Sequence, residues 1–387
     1  MTITTTETAV EPTTRIHHAY GTSTPYSLGI EEEFQLVDPD SAGLLPRCEQ
    51  LLGLATDADL VHIKHELMQS VVEIASSVCA NTTEAAIELA ALRARVNDLA
   101  RKVGCEIASS GTHPFARYAD QVVTDKPRYH QIIDELRWVA QRELIYGLHV
   151  HVGIPSADEA MYVFNGICEY LPALLALSAN SPFWQGELTG LQSSRSKIFD
   201  SFPRSGIPQS FTDWADYESL MLRSINAGAI DDYTYVWWDV RPHPAFGTVE
   251  VRICDAQTRV EDSLALAALV QALAAWLGRQ YNEGRPQVHH PRLLLNENKW
   301  SAARYGLDGA FLDLRTDTKV ATRDAVGELI ELVRPMSSEL GSTVEFDHLS
   351  LMLEATGAER QISTFEATGS TQEVAASIAS ATNRTFV

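Results

Sequence analysis

Apolar and polar positions alternate in some windows of the chain and recur at helical spacing in others. "YSLGIEEEFQLVD" alternates and predicts a strand around Gly29–Asp38, and "QSVVEIASSV" predicts a second. "NTTEAAIELAALRARVNDLARKVG" predicts a helix with an Asn/Thr cap, early glutamates, late basic residues and Gly104 at its end. "CEIASSGTHP" predicts a buried strand that exits at Pro114, "KPRYHQIIDELRWVAQREL" a helix, and "IYGLHVHVGIP" a strand by alternation. A long apolar helical region with Pro172 follows, then the polar, Gly- and Ser-rich "WQGELTGLQSSRSKIFDSFPRSGIP", expected to be a long loop. "YTYVWWDVRPHPAFGTVEVRICD" holds two strand-like runs around a Pro/Gly turn. "EDSLALAALVQALAAWLGRQY", "RDAVGELIELVRPMSSEL" and the tail past Gln361 are helical. Strands and long helices alternate irregularly, which predicts an α+β fold: a mostly antiparallel sheet with helices on one side.

No Pro-, Gly- or Ser-rich linker divides the 387 residues. The expected organisation is a disordered lead over residues 1–24, "MTITTTETAVEPTTR" onward, and a single domain over 25–387. The lead has no basic start and no apolar run of the secretory kind. No window has the ~18 consecutive apolar residues of a membrane span. Five scattered cysteines without a CxxC predict free thiols and a cytoplasmic setting. A formal net charge of −21 argues against nucleic acid or an anionic membrane as partner, although local cations can still hold an anionic substrate. A homodimer is open, with no interface legible.

The candidate chemistry lies in the alternation. Residues two apart on a strand share a face, so Glu31 and Glu33 point one way. Ile30, Phe34 and Leu36 point the other way, with Glu32 among them. Adjacent carboxylates repel, so a positive partner is expected, and paired carboxylates are hard oxygen ligands for Mg²⁺ or Mn²⁺. The plain alternative is a solvated edge strand. In "GLHVHVGIP", His149 and His151 share a face opposite Leu148, Val150 and Val152, which suits metal or phosphate contact as well as ordinary buried imidazoles. In "GTVEVRICD", Glu250 and Arg252 share a face, either as a cross-strand ion pair or as a metal ligand beside a phosphate-clamping guanidinium. Glu66 and Glu73 share a face only if the stretch between them is helical. Glu73, within an apolar run, is the stronger candidate.

If these strands line one sheet, its polar face is an acidic cradle with an arginine in it, suited to divalent metals and a nucleotide's phosphates. There is no GxxxxGK[ST], no GxGxxG after a strand, no GxSxG and no HExxH. Arg195 and Lys197 in "SSRSKIF" are candidates for a substrate carboxylate or ATP phosphates, or are surface charges. Lys299, Trp300, Arg304 and Tyr305 in "NENKWSAARYG" are candidates for substrate or nucleotide contact, or belong to a helix capped by Asn298. Trp237 and Trp238 are expected in the core.

"GIEEE", Glu66, Glu73, "GLHVHVG" and "TVEVR" together resemble the glutamate–cysteine ligase superfamily. Within it the chain is similar to the YbdK-type carboxylate–amine ligases, the type 2 glutamate–cysteine ligase group. The likeness continues through "ASSGTHP", "LLALSANSPFWQGELTGLQSSRSKIF", "WWDVRPHPAFGTVEVRICDAQT" and "ENKWSAARYGLDG", over roughly residues 25–360. The resemblance implies a glutamine-synthetase-like curved antiparallel sheet forming a funnel, with helices outside. It implies ATP and Mg²⁺ as cofactors, with Mn²⁺ as the alternative, and glutamate and an amine such as cysteine as substrates. It implies metal contacts for Glu31, Glu33, Glu73, His149 and Glu250, with Glu66 beside them, and a phosphoryl-steadying Arg252. The implied reaction is amide formation through an acyl phosphate. γ-Glutamylation of another amine, a metal-dependent hydrolase without ATP, and a non-catalytic nucleotide-binding paralogue are the competing readings.

Overall fold

The alternating segment that carries the acid triplet forms β1 (Leu28–Val37) in the computed structural model, which describes residues 13–384. Six further strands join it: β2 (Ile63–His65), β3 (Val71–Ala75), β4 (Glu106–Ala108), β5 (Gly147–Gly153), β6 (Val240–His243) and β7 (Thr248–Asp255). The sheet runs β6-β7-β5-β1-β3-β2, with β4 pairing the far end of β1, and every pairing in it is antiparallel.

Register decides what meets on the polar face. Glu33 stands opposite Glu73, Glu31 opposite His149, and Glu250 opposite both His151 and Arg241. The β7–β5 ladder shifts register between Val251 and Cys254, and Arg252 sits in that irregularity. The other face is apolar apart from Glu32: Leu28, Ile30, Phe34, Leu148, Val150, Val152, Val249 and Val251 are almost fully buried in one core.

Helices pack around the sheet: α1 (Thr82–Lys102), α2 (Pro127–Leu136), α3 (Ala157–Cys168), α4 (Leu171–Ser178), α5 (Ser194–Phe199), α6 (Val260–Asn282), α7 (Arg292–Tyr305) and α8 (Thr322–Glu339). Asn81 caps α1, its side chain accepting from the Glu84 amide at 3.0 Å. Among the described residues α6 alone is long and apolar enough to cross a membrane, and 89% of that window is buried inside the protein. The five cysteines are free and buried.

Four expectations change. Residues 1–12 of the expected lead lie outside the described residues, whereas the lead from Thr13 is docked: Ile16 and Tyr20 are buried, and Tyr20 packs edge-on against Trp214. The expected loop from Trp184 instead carries most of the hairpin Phe183–Trp184/Glu187–Leu188 and the helix α5, because Ser193 caps it and Ile198 and Phe199 bury its apolar side. The helix expected through residues 126–144 breaks at Arg137, which has φ 51°. Asn298 is no cap: α7 starts at Arg292, and the Asn298 amide instead pairs both ways with the Leu312 backbone at 2.7 and 2.9 Å.

Candidate active site

Two clusters of donor atoms form on the polar face. Oxygen and nitrogen atoms of Glu31, His151 and Glu250 lie within 4.8 Å of one another, and so do carboxylate oxygens of Glu33, Glu66 and Glu73. The first cluster spans three adjacent strands. The second unites β1 and β3 with the turn between β2 and β3. That turn resolves the Glu66–Glu73 question: a reversal of the chain, not a helix, brings them together.

The clusters differ in electrostatics. Burial alone would push Glu31 up, yet His149 Nδ1 at 3.2 Å and His151 Nε2 at 3.5 Å hold it well below the usual carboxylate range. Glu250 is fully buried and is likewise held well below by Arg241 and Arg252, both of which donate to it. His151 rises above its ordinary value against the effect of burial, through Glu250 and Glu31. His149 is pushed down to about 4 by burial and by Arg252. In the second cluster burial and mutual repulsion dominate. Glu66 is raised to about 7 by burial and by the Glu33 charge, and Glu73 stands well above its ordinary value through burial, Glu31 and Glu66. Burial also raises Glu33, although Arg195 and the Gly147 amide, which donates to it at 2.6 Å, oppose the rise. Lys64 reaches Glu73 only at 3.7 Å and is half exposed. One buried and two half-buried carboxyls make an all-oxygen donor set, the chemistry of a hard divalent cation. The first cluster adds one imidazole, and the buried Nε2 of His151 has no hydrogen-bond partner among the described residues.

A cavity of about 390 Å³ opens over the second cluster. Arg195, Arg252, Glu143 and Trp237 are in its wall. Arg195, from the first turn of α5, is buried and donates to the Ile253 and Arg252 carbonyls at 3.1 Å each. It reaches them because position 147 is glycine: a Cβ there would lie 2.5 Å from its Nη2. A second cavity of about 510 Å³ shares Glu31 and Lys64 with the first and includes His151. Its walls are mostly apolar, with Ile30, Val61, Val78 and Phe246. Glu31 therefore stands between a charged chamber and an apolar one.

The other expected cations have different work. Lys299 is buried between Asp200 at 2.7 Å and Asp239 at 2.8 Å, away from both cavities. Lys197 pairs with Asp200 and lies over the Trp300 ring. Arg304 donates to the Gly190 carbonyl and lies over Tyr305. These three, expected from sequence at the nucleotide, bind parts of the fold to one another, and none of them lines either cavity. Trp237, expected in the core, is half-buried at the cavity wall. His151, not His149, completes the first cluster, while His149 touches Glu31 from the adjoining position.

Sequence reasoning also missed Arg241 and Glu143. Arg241 was legible, since "DVRPHP" sets it opposite Val240 and Pro242 by the same alternation. Glu143 lies at the end of the stretch expected to be helical, which stops at Gln141, so its place before β5 was not legible. Its carboxyl is pushed up to about 8 by burial against the pull of Arg195, with Glu33 and Glu66 adding to the rise, and its Oε2 is buried without a partner among the described residues.

A family model for glutamate–cysteine ligase family 2 matches residues 27–377. The chain belongs to that family. "Putative glutamate--cysteine ligase 2-1" of Rubrobacter xylanophilus is 43% identical over 352 residues, covering 91% of this chain and 93% of the relative. A counterpart from Solibacter usitatus is 42% identical over 350 residues, covering 90% and 91%. Among solved structures, the glutamate–cysteine ligase of Francisella tularensis in complex with AMP superposes with a TM-score of 0.69 at 13% identity, covering 93% of this chain and 89% of that one. A bifunctional glutathione synthetase from Pasteurella multocida gives 0.69 at 15%, covering 92% and 52%. The fold is thus that of glutamate–cysteine ligases, the α+β class expected from the alternation. The protein is a ligase of a glutamate–cysteine ligase-like, ATP-dependent family.

Proposed function

We propose that this ligase joins the γ-carboxylate of glutamate to an amine, most simply that of cysteine, by way of an acyl phosphate. The observation that carries this reading is the pair of donor clusters side by side on one sheet face with Arg252 acting on both. Arg252 donates to Glu250, and its charge also acts on Glu31 and Glu33.

Glu31, His151 and Glu250 are the residues suited to hold one divalent cation, and Glu33, Glu66 and Glu73 a second, Mg²⁺ by the hardness of the oxygen donors. Bound there, such ions neutralise the repulsion between a carboxylate and a polyphosphate and align the two. The apolar chamber with Phe246 in its wall suits the purine of ATP, and the charged chamber suits the amino acid. The phosphates then cross the face at Glu31. Arg195 and Arg252 face the reacting centre from the charged side. In the first step the γ-carboxylate oxygen bonds to the γ-phosphorus of ATP and ADP departs. In the second the amine nitrogen bonds to the acyl carbon, loses a proton, and phosphate departs. Arg252, fixed by Glu250 before substrate arrives, stabilises the charge that spreads over the transferring phosphoryl oxygens.

The test is ADP release from ATP, Mg²⁺ and glutamate across a panel of amines including cysteine, with Glu33→Gln alongside. The expected result is amine-dependent ADP that falls to background in the variant, with cysteine among the productive amines. ADP formed best with a different amine would reassign the second substrate. No ADP with any pair would refute the ligase mechanism.

A further inference from the structure

The middle member of the acid triplet does not face the site. Glu32 is 1% exposed on the core face of β1, and its partner is Arg93 of α1, 6% exposed. The guanidinium grips it with two bonds, Nε to Oε2 at 2.8 Å and Nη2 to Oε1 at 2.5 Å. Ser263 of α6 donates to the same Oε1 at 2.5 Å. The rest of the guanidinium fork goes elsewhere: Nη2 donates to the Gln257 carbonyl at 3.1 Å and Nη1 to the Thr258 carbonyl at 3.2 Å. Both carbonyls lie just past the end of β7. One arginine therefore ties the residue between Glu31 and Glu33 to the exit of the strand that carries Glu250 and Arg252.

That link joins strands the sheet does not. β1 and β7 share no ladder; each pairs with β5, and the β7 ladder slips beside Arg252. On the site face, Glu31 and Glu250 each approach His151 Nε2, at 3.5 and 3.8 Å. A buried ion pair is a poor source of stability compared with apolar residues of similar volume, because two charges lose their hydration. The geometry offers a different use. We propose that Arg93 is a positioning residue that holds β1 and β7 at the separation where Glu31 and Glu250 converge on His151, and so sets that cluster's affinity for a divalent cation. This rests on the reading of the cluster as a cation site.

The probe is Mn²⁺, followed by electron paramagnetic resonance in a Glu73→Gln background so that the second cluster is crippled. In that background, Glu32→Leu/Arg93→Met removes both charges, Arg93→Lys keeps the charge but loses the fork, and Leu89→Ala opens a hole one turn away on α1, where Leu89 is fully buried. The expected result is a dissociation constant about tenfold higher or more in both Arg93 variants, with the urea midpoint of the double variant close to that of its parent. Leu89→Ala is expected to lower the urea midpoint and leave Mn²⁺ affinity unchanged. Arg93→Lys keeps the test alive if the double variant fails to fold. Unchanged affinity in a folded Arg93 variant overturns the proposal. Equal loss in Leu89→Ala also overturns it, since the effect would then be general loosening of the fold. If the parent binds no Mn²⁺, the reading of the cluster as a cation site fails, and the proposal with it.

Discussion

Glu66→Gln should make the metal-free protein more stable. Glu66 lies in the second cluster with carboxylate oxygens of Glu33 and Glu73 within 4.8 Å, and its carboxyl titrates at about 7 instead of the ordinary 4.5. Between those values the folded state holds a proton that the unfolded chain has released. Stability therefore falls as pH rises through this window, the reverse of a salt-bridged carboxylate. At 1.36 kcal/mol per unit, the loss is about 3 kcal/mol by pH 7.5. Burial is the larger cause of that rise and the Glu33 charge the second; one fully charged pair at the 4.8 Å limit would contribute about 3.5 kcal/mol at an effective dielectric of 20. Glutamine keeps the shape and can still accept the Leu67 amide bond, now 3.1 Å to Oε2, but carries no charge. Urea unfolding in EDTA should show Glu66→Gln ahead by about 3 kcal/mol at pH 7.5 and by under about 1 kcal/mol at pH 5. Added Mg²⁺ should narrow that lead. At a hundred times its dissociation constant it adds about 2.7 kcal/mol to the native protein, and less to a variant lacking one donor oxygen. A variant no more stable at pH 7.5, or equally stabilised at both pH values, would refute the account, because the gain must come from a charge that exists only above the titration.

Two further outcomes follow from the same structure. Lys299→Met leaves Asp239 buried beside Asp200 without its cation, so unfolding stability should drop by about 3–5 kcal/mol while the KM for ATP in the folded fraction is unchanged; a raised KM with intact stability would return Lys299 to the nucleotide site. His113 is buried and neutral, donating from Nε2 to the Ala42 carbonyl at 2.8 Å while Nδ1 accepts from the Ala116 amide at 3.0 Å, and burial lowers it to about 4. The unfolded chain takes up that proton near pH 6.5, so its contribution is complete above pH 6.5 and about 3 kcal/mol of it is lost by pH 4. Urea midpoints across pH 4–7 should show this slope, and His113→Asn should flatten it.

What was legible in the sequence is what strand geometry alone decides. Period two separates Glu31 and Glu33 from Glu32, His149 and His151 from their valines, and Glu250 and Arg252 from theirs, without reference to any partner. Partners across the fold were not legible. Nothing near Glu32 in sequence names Arg93, 61 residues on, because an arginine at that place in α1 looks like any exposed helix position. Lys299 and Arg304 are the opposite case. Their charge suggested a ligand, but the structure supplies Asp200, Asp239 and the Gly190 carbonyl as protein partners. Glu66 fell between the two cases: its place depends on a chain reversal after His65 that period alone cannot separate from a helix.

The acid triplet shows how a strand can carry three adjacent carboxylates. Alternation sends the middle one through the sheet, so its charge is met by a guanidinium in a medium where a fork of two bonds is effective. The outer two stay on the site face, and they are not equivalent. Glu31 is met by two imidazoles, while Glu33 faces Glu73 across the ladder. A net charge of −21 would seem to bar an anionic substrate from such a surface, yet Arg195, Arg241 and Arg252 all gather beside the clusters. Two of them already hold Glu250 and cannot drift into solvent. The global field therefore says little about the site. What governs an incoming phosphate or carboxylate is the order of charges across three strands: arginine-held Glu250, imidazole-held Glu31, then a carboxyl cluster whose burial leaves it short of positive charge. That gradient favours a cation at the Glu33 end first, and it predicts that divalent ion and anionic substrate bind with positive coupling.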